Sequence, residues 1–167
     1  SGGATHTAAP SKEDTAKDYD EIKAVVAKYE KEILEMKLGS AREYSKEERE
    51  LTKQLAEKDR DISIGEEQKS YSDSKKELDA SLKQKKITQE QYDDELARLQ
   101  EAHAEKLAAI QSQMNDKMSE ADDKYHEGEL KSIQDRYAGQ QTAIDFAYKK
   151  QLVSLKESLA KGKITQE

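Results

Sequence analysis

Residues 82–96 read LKQKKITQEQYDDEL, and part of this segment returns at the end of the chain as LAKGKITQE, residues 159–167. The two Ile-Thr-Gln-Glu motifs begin at Ile87 and Ile164, a separation of 77 residues. The same register continues upstream, where it matches Tyr71 with Tyr148, Leu78 with Leu155 and Leu82 with Leu159. A separation that holds over several positions indicates an internal repeat, so the chain contains two copies of one unit.

The first copy contains the signals of a helix start. Thr88 is suited to the N-cap position, because Gln91 lies three residues later and can complete a capping box. Ile87 and Tyr92 have the spacing of a hydrophobic staple across that cap. We therefore expect a helix to begin at Thr88, after a turn at residues 85–87.

The second copy contains the signals of a helix end followed by a new start. Gly162 lies where a helix ending near residue 160 needs a left-handed residue, and Lys85 is its equivalent in the first copy. Ile164 and Thr165 repeat the staple and cap. Because the chain stops at Glu167, inside this copy, we expect it to be a fragment of a longer protein.

The composition restricts the class of fold. Hydrophobic residues make up 34% of the 167 residues and charged residues 39%, with no Cys, no Trp and one Pro. This is too little apolar material for a compact core of ordinary size, and it would also suit a disordered chain. The helical spacing of the apolar residues argues against disorder. We expect an all-α, elongated fold without a compact core, either a coiled coil or an antiparallel helical hairpin or bundle.

The N-terminal part of the sequence predicts shorter elements. Residues 1–10 are small and polar and are expected to form a flexible arm or an expression scar. Residues 11–65 are expected to form short capped helices, with starts at Ser11 and at Ser45, the latter with Glu48 as a capping box. One amphipathic stripe in this region consists of Ile22, Val26, Tyr29 and Ile33.

A break is expected at residues 62–65, Ile-Ser-Ile-Gly, where the apolar spacing is interrupted and Ser63 can cap a new helix. Residues 66–84 then form the helix that leads into the turn.

The most regular pattern follows Thr88 and predicts one helix over residues 88–160. Its apolar positions recur every 11 residues, which gives 3.67 residues per turn and a seam with a slight right-handed drift. Such a helix cannot cover its own seam and needs partner helices. We refer to these positions as the α3 seam: Tyr92, Leu96, Leu99, His103, Leu107, Ile110, Met114, Met118, Tyr125, Leu130, Ile133, Tyr137, Ile144, Tyr148, Leu152, Leu155 and Leu159.

Gly128 and Gly139 interrupt this long pattern, and each costs about 1 kcal/mol relative to Ala in a helix interior. Either they are tolerated on an exposed face, or one of them, most naturally Gly139, is a kink or hairpin point. Residues 161–167 begin the second turn.

The charged helix, the 11-residue apolar period with recurring aromatic residues, and the KITQEQYD connector together resemble the helical stalk regions of phage tail tape measure proteins. The resemblance covers residues 77–167, and the expected short helices before Gly65 depart from it. It implies that several copies bundle inside the tail tube, that helix length sets tail length, and that the seam residues serve only in packing. It also implies a virion-tail location after assembly in the bacterial cytoplasm.

The sequence offers little for catalysis or cofactor binding. It contains no Cys nucleophile, Gly-x-Ser-x-Gly elbow, phosphate-binding Gly loop or His-Glu-x-x-His pair. His103 lies on the seam, where a polar residue that fixes register is expected. His126 with Glu127 and Glu129 is expected to be a solvated face. We therefore predict no catalytic residue, no metal site and no cofactor.

Net charge and hydropathy limit the partners. The charge of −7 disfavours general nucleic-acid binding. No apolar run approaches the roughly 18 residues of a membrane span. A cluster of lysines between residues 149 and 163 is expected to be an exposed face rather than a membrane-binding helix. The expected partners are helices of the same chain or of neighbouring copies.

Two functional classes fit the sequence. One is a structural coiled-coil segment that sets length or spacing, as in a tape measure protein. The other is a helical-hairpin interaction module, such as an adaptor, an effector stalk or a chaperone-like clamp. They differ at residues 84–87: a reversal there packs Tyr71, Leu78 and Leu82 against Tyr92, Leu96 and Leu99, whereas an extended stalk keeps them on one axis.

Overall fold

The computed structural model describes residues 12–162, with side chains from residue 18 onward; Ser11, Ile164 and Thr165 lie outside it. The described chain consists of three helices and contains no strand: α1 (Lys12–Ser40), α2 (Lys46–Lys83) and α3 (Gln89–Ala160). The protein is therefore all-α. Its helices are 29, 38 and 72 residues long.

The middle helix organises the structure, because α1 and α3 each pack on α2 and not on each other. Both packings are antiparallel. Ala24 of α1 lies against Gly65 of α2, while Lys31, farther along α1, pairs with Asp59, which comes earlier in α2. On the other side of α2, Arg49 pairs with Asp122 of α3.

Small residues bring α1 close to α2. Ala24, Ala27 and Leu34 are the buried apolar residues of α1, and the buried Gly65 of α2 lies against Ala24. A Cβ atom at Gly65 would overlap the Cβ of Ala24 and lie 3.1 Å from the Asp20 carbonyl oxygen. Gly65 is thus the point of closest approach between the two backbones.

Two predictions for the first half of the chain are wrong. Residues 11–65 are not a series of short helices, and residues 62–65 are not a break, because α2 runs without interruption from Lys46 to Lys83. Gly65 signals contact with a neighbouring helix instead. Ser45 is the N-cap of α2, but the Glu48 carboxylate accepts a hydrogen bond from Tyr44 N rather than from the cap residue.

The chain reverses between α2 and α3. Lys85 adopts a left-handed conformation with φ of 57°, and its N–H donates to the Leu82 carbonyl. Thr88 then caps α3: its Oγ1 accepts from Gln91 N at 3.1 Å, and Gln91 Oε1 accepts from Thr88 N at 3.0 Å. These contacts form the capping box that starts the third helix.

The end of α3 repeats the end of α2. At the end of α3, Lys161 N donates to the Glu157 carbonyl and Gly162 N to the Leu159 carbonyl. At the end of α2, the equivalent hydrogen bonds, 77 residues earlier, run from Gln84 N to the Ala80 carbonyl and from Lys85 N to the Leu82 carbonyl. Gly162 has a φ of 71°. The sequence repeat is therefore also a repeat of helix-end geometry.

Gly128 and Gly139 both lie inside α3, which is continuous from Gln89 to Ala160. Neither is a hairpin point. At about 1.5 Å per residue, the 72 residues of α3 extend about 110 Å. This helix continues well past the start of α2.

Candidate interaction surfaces

The first half of the α3 seam packs against α2. Its positions are half-buried or buried: Tyr92, Leu96, Leu99, His103, Leu107, Ile110, Met114, Met118 and Tyr125. Ala121, which is not one of the predicted seam residues, completes the spacing of 4, 3 and 4 residues that makes up the 11-residue period. The most buried are Met114 and Ala121. The Tyr92 hydroxyl donates to Asp79 at 2.5 Å. This hydrogen bond raises the pKa of Tyr92.

His103 makes the most specific contact across this interface. Its ring stacks on Tyr71 with centroids 4.2 Å apart and planes inclined by 15°. Its Nδ1 lies 3.0 Å from a carboxylate oxygen of Glu67, which also approaches Lys106. Stacking and a directed polar contact together fix one register of α3 on α2.

Asp59 of α2 connects all three helices. Its carboxylate lies 2.7 Å from Lys31 Nζ of α1 and 3.3 Å from Lys117 Nζ of α3. Burial opposes ionisation, but the hydrogen bonds and charges of the two lysines outweigh it, so the pKa of Asp59 is lowered. Its hydrogen bond also raises the pKa of Lys31.

A second polar cluster lies near the start of α2. Asp122 of α3 lies 2.7 Å from Lys53 Nζ and 2.6 Å from Arg49 Nε. Hydrogen bonds from Lys53 and Arg49 lower the pKa of Asp122. Lys124 pairs with Glu48 at 2.9 Å, which raises the pKa of Lys124.

The loop between α1 and α2 is attached to α3 through Tyr44, a contact that the sequence analysis did not anticipate. Tyr44 has a positive φ of 62°, which is unusual for a residue with a side chain. A Cβ atom at Gly128 would lie within 2.8 Å of the Tyr44 ring atoms. Lys124 Nζ lies 5.4 Å and Lys131 Nζ 5.9 Å from the ring centroid. The absence of a side chain at Gly128 thus leaves the space that Tyr44 occupies. In the sequence, the only indication of this contact is a glycine at the point where the seam pattern slips.

Within residues 12–162, no helix packs on the second half of the α3 seam. We call residues 129–160, which follow Gly128, the distal part of α3. Every residue from 131 to 157 is exposed. The exposed seam residues are Leu130, Ile133, Tyr137, Ile144, Tyr148, Leu152 and Leu155, and Leu159 is half-buried. The predicted seam is therefore divided into a covered half and an uncovered half.

The apolar stripe of α1 is also uncovered. Ile22, Val26, Tyr29 and Ile33 lie on the side away from α2 and are 48 to 70% exposed. Tyr19 and Met36 extend the same stripe in both directions. This helix buries Ala24, Ala27 and Leu34 and presents its other large apolar residues to solvent.

Other kinds of site find little support in the described part of the chain. Residues 18–162 contain no group of three His, Cys, Asp or Glu side chains placed to hold a metal ion. His126 lies 3.4 Å from Glu129, a carboxylate whose pKa is lowered by hydrogen bonds to Tyr125 and His126. Among the described helices, none combines the length and apolar character that a bilayer crossing requires.

Comparisons of this chain with protein-family models, with curated protein sequences and with solved structures find no match. The functional argument therefore rests on the surfaces described above.

Proposed function

We propose that this chain is a non-enzymatic helical-hairpin interaction module, a rigid three-helix scaffold whose uncovered apolar stripes bind other helices. The observation that carries the proposal is the exposed seam on the distal part of α3. Exposed apolar surface that follows a helix seam over about eight turns is typical of a protein interaction site.

The reversal of the chain at Lys85 supports the hairpin class over the extended stalk. Tyr71 contacts His103, and Asp79 contacts Tyr92, so the end of α2 packs back on the start of α3. An extended stalk would place these residues on one axis. In the hairpin, the covered half of α3 anchors the helix and the distal part is presented to a partner.

The experiment that tests this function is light scattering combined with small-angle X-ray scattering over a concentration series. We expect a maximum dimension of at least about 110 Å at the lowest concentration, because α3 alone has that length. We also expect the mass to rise to a fixed multiple of the monomer.

A matched pair of variants assigns the association to the distal seam. Ile144→Asn with Leu152→Asn removes apolar groups from the seam, whereas Thr142→Asn with Ser154→Asn changes exposed residues off it. Weaker association in the first pair alone supports the proposal. A monomer at every concentration, or equal behaviour of the two pairs, contradicts it.

A second candidate function is a length-setting structural segment, as in the tape measure proteins that the sequence resembles. The continuity of α3 over 72 residues favours it. Its test is a deletion of residues 134–144, one full 11-residue period, which keeps the seam in phase. The maximum dimension should shorten by about 16 Å with helicity per residue retained. A collapsed or unfolded deletion variant would contradict a purely length-setting role.

A further inference from the structure

The uncovered stripe of α1 differs from the distal seam of α3 in its period. Tyr19, Ile22, Val26, Tyr29, Ile33 and Met36 are separated by 3, 4, 3, 4 and 3 residues, which is a heptad pattern. Such a pattern gives a left-handed supercoil, whereas an 11-residue period gives a right-handed one. The partner that matches this stripe is therefore another heptad helix and not the distal part of α3.

The heptad assignment places β-branched residues where parallel two-stranded pairing favours them. Tyr19, Val26 and Ile33 occupy the first core position of the heptad, termed a. Ile22, Tyr29 and Met36 occupy the second core position, termed d. Ile or Val at a, combined with Leu at d, is typical of parallel dimers, and Val26 and Ile33 meet the first of these two conditions.

The charges beside this stripe also match a parallel copy of the same helix. The position directly before a is termed g, and the position directly after d is termed e. In parallel dimers, each g residue faces the e residue of the partner helix that lies five positions later in the sequence. Asp18 would thus face Lys23 of a second copy, and Glu32 would face Lys37. Both pairs have opposite charges, and each would occur twice.

The antiparallel alternative uses residues that are already engaged. It would pair Lys23 with Glu30, but Lys23 contacts Asp61 at 3.5 Å and Glu30 contacts Lys58 at 2.5 Å within the chain. By contrast, Glu32 and Lys37 form no ion pair among the described residues. Of the residues that the parallel arrangement pairs, only Lys23 already forms an ion pair within the described chain, so the Glu32 and Lys37 pairs form without breaking a contact that holds α1 on α2.

We propose that α1 pairs in parallel and in register with α1 of a second copy of this chain, through Tyr19, Ile22, Val26, Tyr29, Ile33 and Met36. This inference rests on the proposed function, because it specifies one partner of the interaction module. The small-residue face of α1 stays on α2, and the heptad face forms the dimer. The two α3 helices then project in the same direction.

Cysteine crosslinking tests the arrangement, because the chain contains no Cys of its own. In a parallel dimer, the two copies of position 33 come within about 4.4–6.8 Å between Cα atoms, so Ile33→Cys should form a disulfide-linked dimer under mild oxidation. In an antiparallel dimer, position 33 would face position 22 of the second copy. The two copies of position 33 would then lie about 16 Å apart along the axis. Glu35→Cys, on an exposed face off the stripe, is the matched control. Crosslinking of both variants or of neither overturns the inference.

A charge swap provides a second measurement that does not depend on disulfide geometry. We expect Glu32→Lys to weaken dimerisation about tenfold, because it converts two attractive pairs into repulsive ones. Adding Lys37→Glu should restore the dissociation constant to within about threefold of the original. No weakening by the first substitution, or no rescue by the second, overturns the inference.

The two proposals can fail separately. Association that is insensitive to Glu32→Lys but lost with Ile144→Asn and Leu152→Asn overturns the α1 dimer and leaves the interaction module in place. A chain that stays monomeric at every concentration overturns both.

Discussion

Two glycines of α3 share a helical backbone but have different surroundings. A Cβ atom at Gly128 would meet the Tyr44 side chain, whereas a Cβ atom at Gly139 would meet no atom of the described residues within 4 Å apart from the adjacent residues and the local backbone of α3. The same residue type therefore has a packing role at one position and only a helix-propensity cost at the other. This contrast gives a matched pair of substitutions.

We expect Gly128→Ala to destabilise the protein by about 1–2 kcal/mol, because the gain in helix propensity is outweighed by displacement of the Tyr44 ring. Gly139→Ala should instead stabilise α3 by about 1 kcal/mol. Thermal and urea unfolding followed by circular dichroism measure both changes. Equal stabilisation by the two substitutions would show that the Tyr44 side chain does not pack against Gly128.

Asp59 gives a prediction for pH dependence. The pKa of its carboxyl is lowered in the folded state, so its contribution to stability is present above the unfolded pKa, near 4, and is lost as the pH falls through the folded pKa. Asp59→Asn should cost about 1 kcal/mol at pH 7, and the difference from the parent chain should shrink below about pH 4. Asp135→Asn, on the exposed part of α3, is the control and should change little. A pH-independent difference for Asp59→Asn would argue against the ion-pair role.

At the scale of elements, the structure depends on how one helix ends and the next begins. The left-handed Lys85 ends α2, and the Thr88 capping box starts α3 within a few residues. Because this turn is short, it places the two helices side by side. The register is then fixed along the interface by the Tyr71 and His103 stack and by the carboxylates of Asp59 and Asp122.

Thr88→Ala tests the contribution of this cap. We expect a loss of about 1 kcal/mol in the free energy of unfolding, since two backbone N–H groups lose their bonding geometry. Thr142→Ala is the control, because the Thr142 hydroxyl donates to the Ala138 carbonyl in mid-helix and its loss should be neutral or slightly stabilising. Urea unfolding compares the two. Equal effects would mean that the cap makes no special contribution.

At the scale of the whole molecule, stability should vary along α3. The seam positions from 92 to 125 pack on α2, while all residues from 131 to 157 are exposed. Isolated helices of moderate length are only marginally stable in water, so tertiary packing contributes most of the protection. The distal part should therefore open more readily than the rest of the helix.

Hydrogen–deuterium exchange measured by mass spectrometry checks this expectation. At low protein concentration, amides of the distal part should exchange at least about tenfold faster than amides near Met114. Raising the concentration should protect the distal part if the proposed function holds. Uniform protection along α3 at the lowest concentration would contradict the division of the helix.

The amino-acid sequence alone was sufficient to predict the features that depend on neighbouring residues. The all-α class, the cap at Thr88, the left-handed positions at Lys85 and Gly162, and the 11-residue seam follow from local hydrogen bonding and helical periodicity. The 77-residue register also gave the repeated helix end. These features could be predicted because each involves atoms only a few residues apart.

The faces that contact each other are set by the packing of the three helices. A periodic stripe identifies a face of a helix but not its partner: the sequence predicted a stripe with Ile22 and Ile33, although α1 packs on α2 through Ala24 and Ala27. Gly65 was mistaken for a break because a glycine at a close helix crossing and a glycine at a helix end have the same local sequence signal. Tyr44 packs against Gly128, and Asp59 pairs with Lys31 and Lys117. The residues in each of these contacts are more than 25 positions apart in the sequence. Such contacts depend on how three helices are placed in space, and local chain geometry does not specify that placement.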